Sequence, residues 1–300
     1  MSLSPQDVPE VPEAPEGAPR LENPAGPDAE VQKRRIPNLG HALLFVLFTG
    51  FLLITYEVIL FALGKAPAAV VGGTIKVQHP VLQLAAMAGT YLATLSIAWL
   101  FYPLVWHRPF LDGLQWRWAA ARKQIGQLIA LGLVLGFMVQ IVTYFITSPK
   151  TLPIDEFFLT PGTAWLITLF GIVVAPVFEE ISFRGFLVPA FAIAYDWVSL
   201  PRTDEARTRW HTTTTLTPAS LMFSAVLSSL LFAMLHAQQV AHLWAVLLVL
   251  FAVSLVLTYV RVKTQSVAAS TIVHSAYNGF VFVTVLVATG GYRHLDRMTH

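Results

Sequence analysis

The chain has 300 residues, of which 55% are hydrophobic and only 12% charged, and its formal net charge is +2. A soluble domain carries roughly a quarter charged residues, so this composition excludes an ordinary soluble globule. So small a net charge gives no footing for nucleic acid as a partner. The absence of cysteine excludes a thiol nucleophile, a thiolate metal site and any disulfide.

Residues 1–36 form a separate region. Seven prolines between Pro5 and Pro27 alternate with acids and small residues, and seven of the 17 acids lie in the first thirty positions. Such a segment has too little apolar surface to fold alone and reads as a disordered cytosolic tail. A docking tail for a partner is the other reading. No basic start precedes a short apolar core, so the segment is not expected to be a secretory signal peptide.

Residues 37–292 read as an all-α, polytopic transmembrane helical bundle of seven to eight spans. A span needs about 20 mostly apolar residues, and the sequence predicts helices near 39–63, 81–106, 124–146, 162–181, 217–236, 241–260 and 266–289. Trp106, Trp116, Trp118, Trp197 and Trp210 fall at the expected interfaces, where an aromatic belt belongs. With the N-terminus in the cytosol, the cytosolic ends hold Lys33, Arg34, Arg35, Arg108, Arg117, Arg122, Lys123, Arg202, Arg207, Arg209, Arg261 and Lys263. The other side holds Lys65, Lys76, Lys150, Arg293 and Arg297. Basic residues are retained on the cytosolic side, so this orientation is expected, in the plasma (inner) membrane of a bacterium. Gly132 and Gly136, four apart in the third span, would let a neighbouring helix approach closely.

Three groups of polar residues interrupt the apolar runs. In the fourth span Glu179 and Glu180 follow a stretch without charge since Glu156, and an intramembrane charge costs at least about 2.5–3.5 kcal/mol on insertion scales. Glu180 and Arg184 share a helix face and can neutralise each other, whereas Glu179, about 100° around, lacks that partner. A carboxylate in a weakly polar site suits general-base work. Pro176 removes a backbone donor just before the pair and is expected to kink the helix and open space there. The fifth span ends at His236, and the seventh presents His274 and Asn278 on one face. Each group has a structural alternative: an ionic lock for the first, a packing residue for His236, an interhelical hydrogen bond for the last. Together they supply a base, two imidazoles and an amide from three helices, as a site at a bundle centre requires. The other histidines lie at span ends or in loops; His242, near Gln238 and Gln239, is the one worth watching.

Glu179-Glu180-x-x-x-Arg184, Phe232-x-x-x-His236 and His274-x-x-x-Asn278, in that order, resemble the motifs of the CAAX prenyl protease and bacteriocin-processing family (CPBP or ABI), whose best-known members are type II CAAX prenyl endopeptidases. The resemblance covers about residues 125–290. It implies an intramembrane endopeptidase acting in the lipid bilayer near the C-terminus of a peptide or protein substrate, with prenylated substrates as one class. It implies further that Glu179 and His236 activate a water, that His274 and Asn278 line the same cavity, and that Asn278 holds the oxyanion. Glu180 and Arg184 would then be structural. Zinc is a candidate cofactor, with Glu179, His236 and His274 as its ligands, although no His-Glu-x-x-His run is present to require it. Two further readings are a catalytically silent membrane scaffold of the same fold and a proton- or ion-coupled transporter; the absence of a visible repeat weighs against the transporter. A plain seven-span arrangement leaves Glu179 and His236 at different depths. That mismatch disappears if the fourth helix runs on toward Tyr195, or if 237–243 re-enters the membrane.

Overall fold

The computed structural model describes residues 35–65, 68–71, 74–147, 149 and 152–298. The expected tail therefore falls almost wholly outside the described residues. Seven helices among them are long and apolar enough to cross a membrane. They are α1 (Leu39–Ala62), α2 (Pro80–Trp106), α3 (Ile125–Tyr144), α4 (Pro161–Val198), α5 (Pro218–Leu235), α6 (Trp244–Thr264) and α7 (Val267–Ala288). The fold is an all-α polytopic bundle, and the chain is an integral multi-pass membrane protein. A two-stranded antiparallel hairpin, β1 (Ala68–Val71) and β2 (Thr74–Val77), lies in the connection between α1 and α2.

Local signals account for the helix starts. Asn38, Thr160, Thr217 and Ser266 each accept a hydrogen bond from a backbone N–H of the first turn, satisfying a donor that the helix itself leaves unpaired. Apolar side chains then cover all sides of the helices. Leu43, Leu47, Phe51, Ile54 and Val58 of α1 point outward and are exposed, as a lipid-facing surface requires.

Packing centres on α4. On one side Phe178, Ile181 and Phe186 join Phe45 of α1 and Tyr102 and Trp106 of α2 in an aromatic core, with Phe45 and Phe186 stacked at 4.4 Å. On another, α3, α6 and α7 share a second core around Leu128, Leu257, Val273 and Tyr277. Trp106, expected in the interfacial belt, is instead buried at 3% exposure within the first core. Trp118 and Trp197 are exposed as a belt requires.

The fourth span is the main departure from expectation, which ended it at 181; it continues for 38 residues to Val198. Two wide π-turns, Phe170–Val174 and Ile181–Leu187, bracket the Glu179–Glu180 pair. Each ends two residues before a proline, Pro176 or Pro189. A proline ring in a regular helix collides with the carbonyl four residues back, and a widened turn moves that carbonyl aside. The helix thus absorbs both prolines without ending.

The longer helix also corrects the depth problem. The Oδ2 of Asp196, near the end of α4, accepts from Thr217 N at 3.1 Å, and Thr217 caps the start of α5. From that joint the chain runs down α5 for 19 residues to His236 and back along α4 for 17 residues to Glu179. At about 1.5 Å per residue both side chains lie within a few ångströms of one level. Residues 236–243 form a turn between α5 and α6.

Gly132 and Gly136 are where α7 crosses α3. A Cβ on Gly132 would lie 2.5 Å from the Val273 carbonyl oxygen, and one on Gly136 would lie 2.8 Å from Phe280 Cβ. Backbone opposite Gly132 cannot yield cheaply, so Gly132→Ala is expected to cost about 1–3 kcal/mol of overpacking strain. Gly126→Ala, which meets nothing within 4 Å, is expected to leave stability unchanged. Thermal melts of the two variants in detergent check the contrast.

Candidate active site

The polar residues of the bundle interior meet around α4. Glu180 is fully buried, and its Oε1 accepts from Arg184 Nη1 at 2.9 Å and from His274 Nδ1 at 3.0 Å. Arg184, also fully buried, donates through Nη2 to both the carbonyl and the Oγ of Ser254, each at 2.8 Å. One carboxylate and one guanidinium thus tie α4 to α6 and α7. Neither charge could remain in this interior alone, because desolvating an isolated ion costs several kcal/mol. Glu180 Oε2 makes no hydrogen bond, since Ser270 Oγ beside it is turned to the Val267 carbonyl at 3.0 Å.

Glu179 differs from its neighbour. It is 18% exposed, and its nearest cation-capable partner is His274 Nε2, 3.7 Å from Oε2. That separation is too long for a hydrogen bond and leaves the carboxylate oxygens available. The His274 ring therefore lies between the two glutamates. Its Nδ1–H donates to Glu180, which fixes the tautomer and turns Nε2 toward Glu179.

His236, directly after α5, shows the same pattern. Its Nδ1 lies 2.8 Å from the Phe232 carbonyl oxygen, an acceptor, so Nδ1 carries the proton and Nε2 is left open. The two imidazoles flank the ring of Phe232, with centroids 4.7 Å and 5.9 Å from it. The Arg184 guanidinium lies 5.0 Å from that ring. The structure thus gathers Glu179, Glu180, Arg184 and His274 into one cluster and sets His236 across Phe232 from it.

Asn278 is engaged elsewhere. Its Nδ2 donates to the carbonyl of Gly171 at 2.7 Å. The reason is local. In the widened turn the N–H of Ala175 bonds Phe170 O, five residues back. The next donor in that register would be residue 176, a proline with no N–H. Gly171 O is orphaned in the bundle interior, and the Asn278 amide satisfies it. One of the two amide hydrogens is committed to this bond and the second remains free.

Three contributors escaped the sequence reading. Ser254 is one of several hydroxyls in apolar helices, and nothing in its surroundings singles it out. The Gly171 carbonyl has no side chain to announce it. Tyr91 of α2 stacks on Phe178 with centroids 3.8 Å apart and lies within electrostatic reach of Glu179. A tyrosine eleven residues inside a span, away from either interface, is a signal that could have been used. His242 is exposed in the 236–243 turn.

Of the three candidate zinc ligands, Glu179 and His274 lie together, and His236 stands across Phe232 from them. Among the described residues no three His, Asp or Glu side chains come together in a way that could hold a metal ion. The Nδ1 atoms of His236 and His274 are bonded to the Phe232 carbonyl and Glu180, which leaves each Nε2 open.

Two predictions follow from the pairing. Glu180→Ala leaves Arg184 buried and uncompensated and is expected to cost about 3–5 kcal/mol, whereas Glu179→Ala removes no hydrogen bond and is expected to leave the melting temperature nearly unchanged. Asn278→Val should cost about 0.6–2 kcal/mol, the range for an interhelical hydrogen bond in a membrane. That cost should shrink when Pro176→Ala restores a backbone donor for Gly171. A double-mutant cycle on melting temperature reads the difference.

The geometry described here lies in a stretch that matches a known family. The family model of Rce1-like type II CAAX prenyl endopeptidases matches residues 161–280, from the start of α4 into α7. No curated protein matches the chain, and no solved structure matches it. The matched segment contains Glu179, Glu180, Arg184, His236, His274 and Asn278. Residues 161–280, the part of the chain that carries the site, are thus similar to the Rce1-like type II CAAX prenyl endopeptidases.

Proposed function

We propose that the protein is an intramembrane endopeptidase that hydrolyses a peptide bond near the C-terminus of a protein or peptide, with a prenylated chain as the substrate class its family points to. The observation that carries this reading is the contrast between adjacent glutamates. Glu180 is fully buried with its Oε1 held by Arg184 and His274, while Glu179 keeps a partly exposed carboxylate beside an open imidazole nitrogen.

Amide hydrolysis needs a deprotonated water, a donor for the developing oxyanion and a proton for the departing amine. Glu179 takes the proton from water, and His236 Nε2 accepts from the same water and orients it. The water oxygen adds to the carbonyl carbon, and negative charge passes to the carbonyl oxygen. The free N–H of Asn278 supports that charge, with its other N–H held on Gly171. As the C–N bond breaks, Glu179 gives its proton to the amine, and the remaining hydroxyl proton passes through His236 Nε2 to the same amine, leaving a carboxylate and a protonated new N-terminus. His274, held by Glu180 through Nδ1–H, stabilises the ionised form of Glu179 only when its Nε2 also carries a proton.

A cytosolic N-terminus belongs to this reading; it is supported by Arg35, Arg108, Arg117 and Arg261 around one cavity at a single end of the bundle, since basic residues are retained on the cytosolic side. The chain contains no cysteine, so a single introduced thiol near position 35 reports sidedness by its reaction with an impermeant reagent.

A quenched peptide library, with and without a C-terminal prenyl group, tests the activity on purified protein. Cleavage is expected for the native chain, and a loss of at least about 100-fold for Glu179→Ala and His236→Ala, the scale of a general-base contribution. Binding of peptide by the native chain without hydrolysis would contradict the proposal and favour a silent scaffold. Activity is expected to survive a zinc chelator; loss of activity that added zinc restores would overturn the metal-free route.

A further inference from the structure

Away from the glutamate cluster, a cavity of about 530 Å³ opens at the end of the bundle where α2 and α6 finish and α1 begins. Arg35, Arg108, Arg117 and Arg261 line it, and Asp112 is the one acid among its lining residues. Among the described residues none of the four arginines is ion-paired with a carboxylate. Arg261 is only 7% exposed. It spends one Nη2 hydrogen bond on Gln115 Oε1 at 2.7 Å, and its Nε has no partner. Arg117 lies within electrostatic reach of it and repels it, and the more interior Glu180 attracts it. Arg35 is pinned in place, with Nη2 on the Thr213 carbonyl at 2.8 Å and the guanidinium 3.8 Å above the Trp210 ring. Burial pulls the Arg35 guanidinium below its ordinary value, and Asp196 opposes that shift.

Holding several guanidiniums together, one of them buried with an unused donor, is costly unless an anion joins them. Arginine's planar fork matches phosphate oxygens in bidentate geometry. The cavity also lies at the ends of the apolar helices, where headgroup phosphates sit in a bilayer. We propose that this cavity binds the phosphate of an anionic ligand, supplied by an anionic phospholipid headgroup or by free phosphate. A zwitterionic headgroup would bring a quaternary ammonium beside the arginines and bind less well. The inference does not rest on proteolysis, and the test has no activity readout.

The experiment is native mass spectrometry of the detergent-purified full chain, titrated with phosphatidylglycerol, phosphatidylcholine or inorganic phosphate. Arg261→Gln risks the fold through its bond to Gln115, so the diagnostic variant is Arg108→Gln with Arg117→Gln, both exposed. Arg122→Gln with Lys123→Gln removes equal charge from positions outside the cavity and serves as control. Saturable binding of phosphatidylglycerol is expected, at least about tenfold weaker in the diagnostic variant, since one lost charged hydrogen bond alone accounts for that much, and unchanged in the control. Displacement of the lipid by inorganic phosphate, or binding of inorganic phosphate alone with the same variant dependence, also supports the proposal and in the second case identifies free phosphate as the source. Equal affinity for the two lipids, or equal losses in the two variants, with no variant-dependent phosphate binding, would overturn it.

Discussion

The bundle depends on the burial of Glu180 with Arg184. Two full charges with no exposed surface can persist in an apolar interior only by bonding each other and drawing further hydrogen bonds from nearby groups. Here those groups are His274 on α7 and Ser254 on α6. The requirement that neutralises the pair therefore also sets where α6 and α7 stand against α4. The imidazole facing Glu179 is oriented by an interaction whose own demand is electrostatic, so positioning of the site and stability of the fold share one cause.

A second constraint comes from the prolines of α4. Pro176 and Pro189 would each break a regular helix, yet the wide turns ahead of them allow 38 residues to continue as one element. The widening frees the Gly171 carbonyl, and Asn278 closes that gap. The family motif's amide thus has a structural duty here, fastening α7 to α4 two turns before Glu179. The same extension brings Glu179 level with His236 at the far end of α5.

What could be read in advance followed simple rules of spacing. The four-residue separation of Glu180 and Arg184 announced their pairing, and the turn of the helix between Glu179 and Glu180 announced that one carboxylate would lack that partner. The helix count was legible because each apolar run is about one membrane thick. The end of α4 was not, since a window of that length closes near Arg184 and the wide turns carrying the helix onward depend on packing. Trp106 was misplaced because a tryptophan at a helix end looks interfacial, and only the facing rings of Tyr102, Phe110 and Phe186 reveal it as core. The partner of Asn278 was hidden for a similar reason: it is a carbonyl released by a change of backbone register.

The central claim is that Glu179 and His236 meet at one water beside a scissile carbonyl. A structure of the Glu179→Gln variant in a lipid nanodisc with an uncleaved peptide tests it most directly. The account predicts a peptide carbonyl seated between the side chain at position 179 and His236 Nε2, with its oxygen toward Asn278. A peptide bound elsewhere, or a side chain at position 179 turned to the acyl chains, would contradict it.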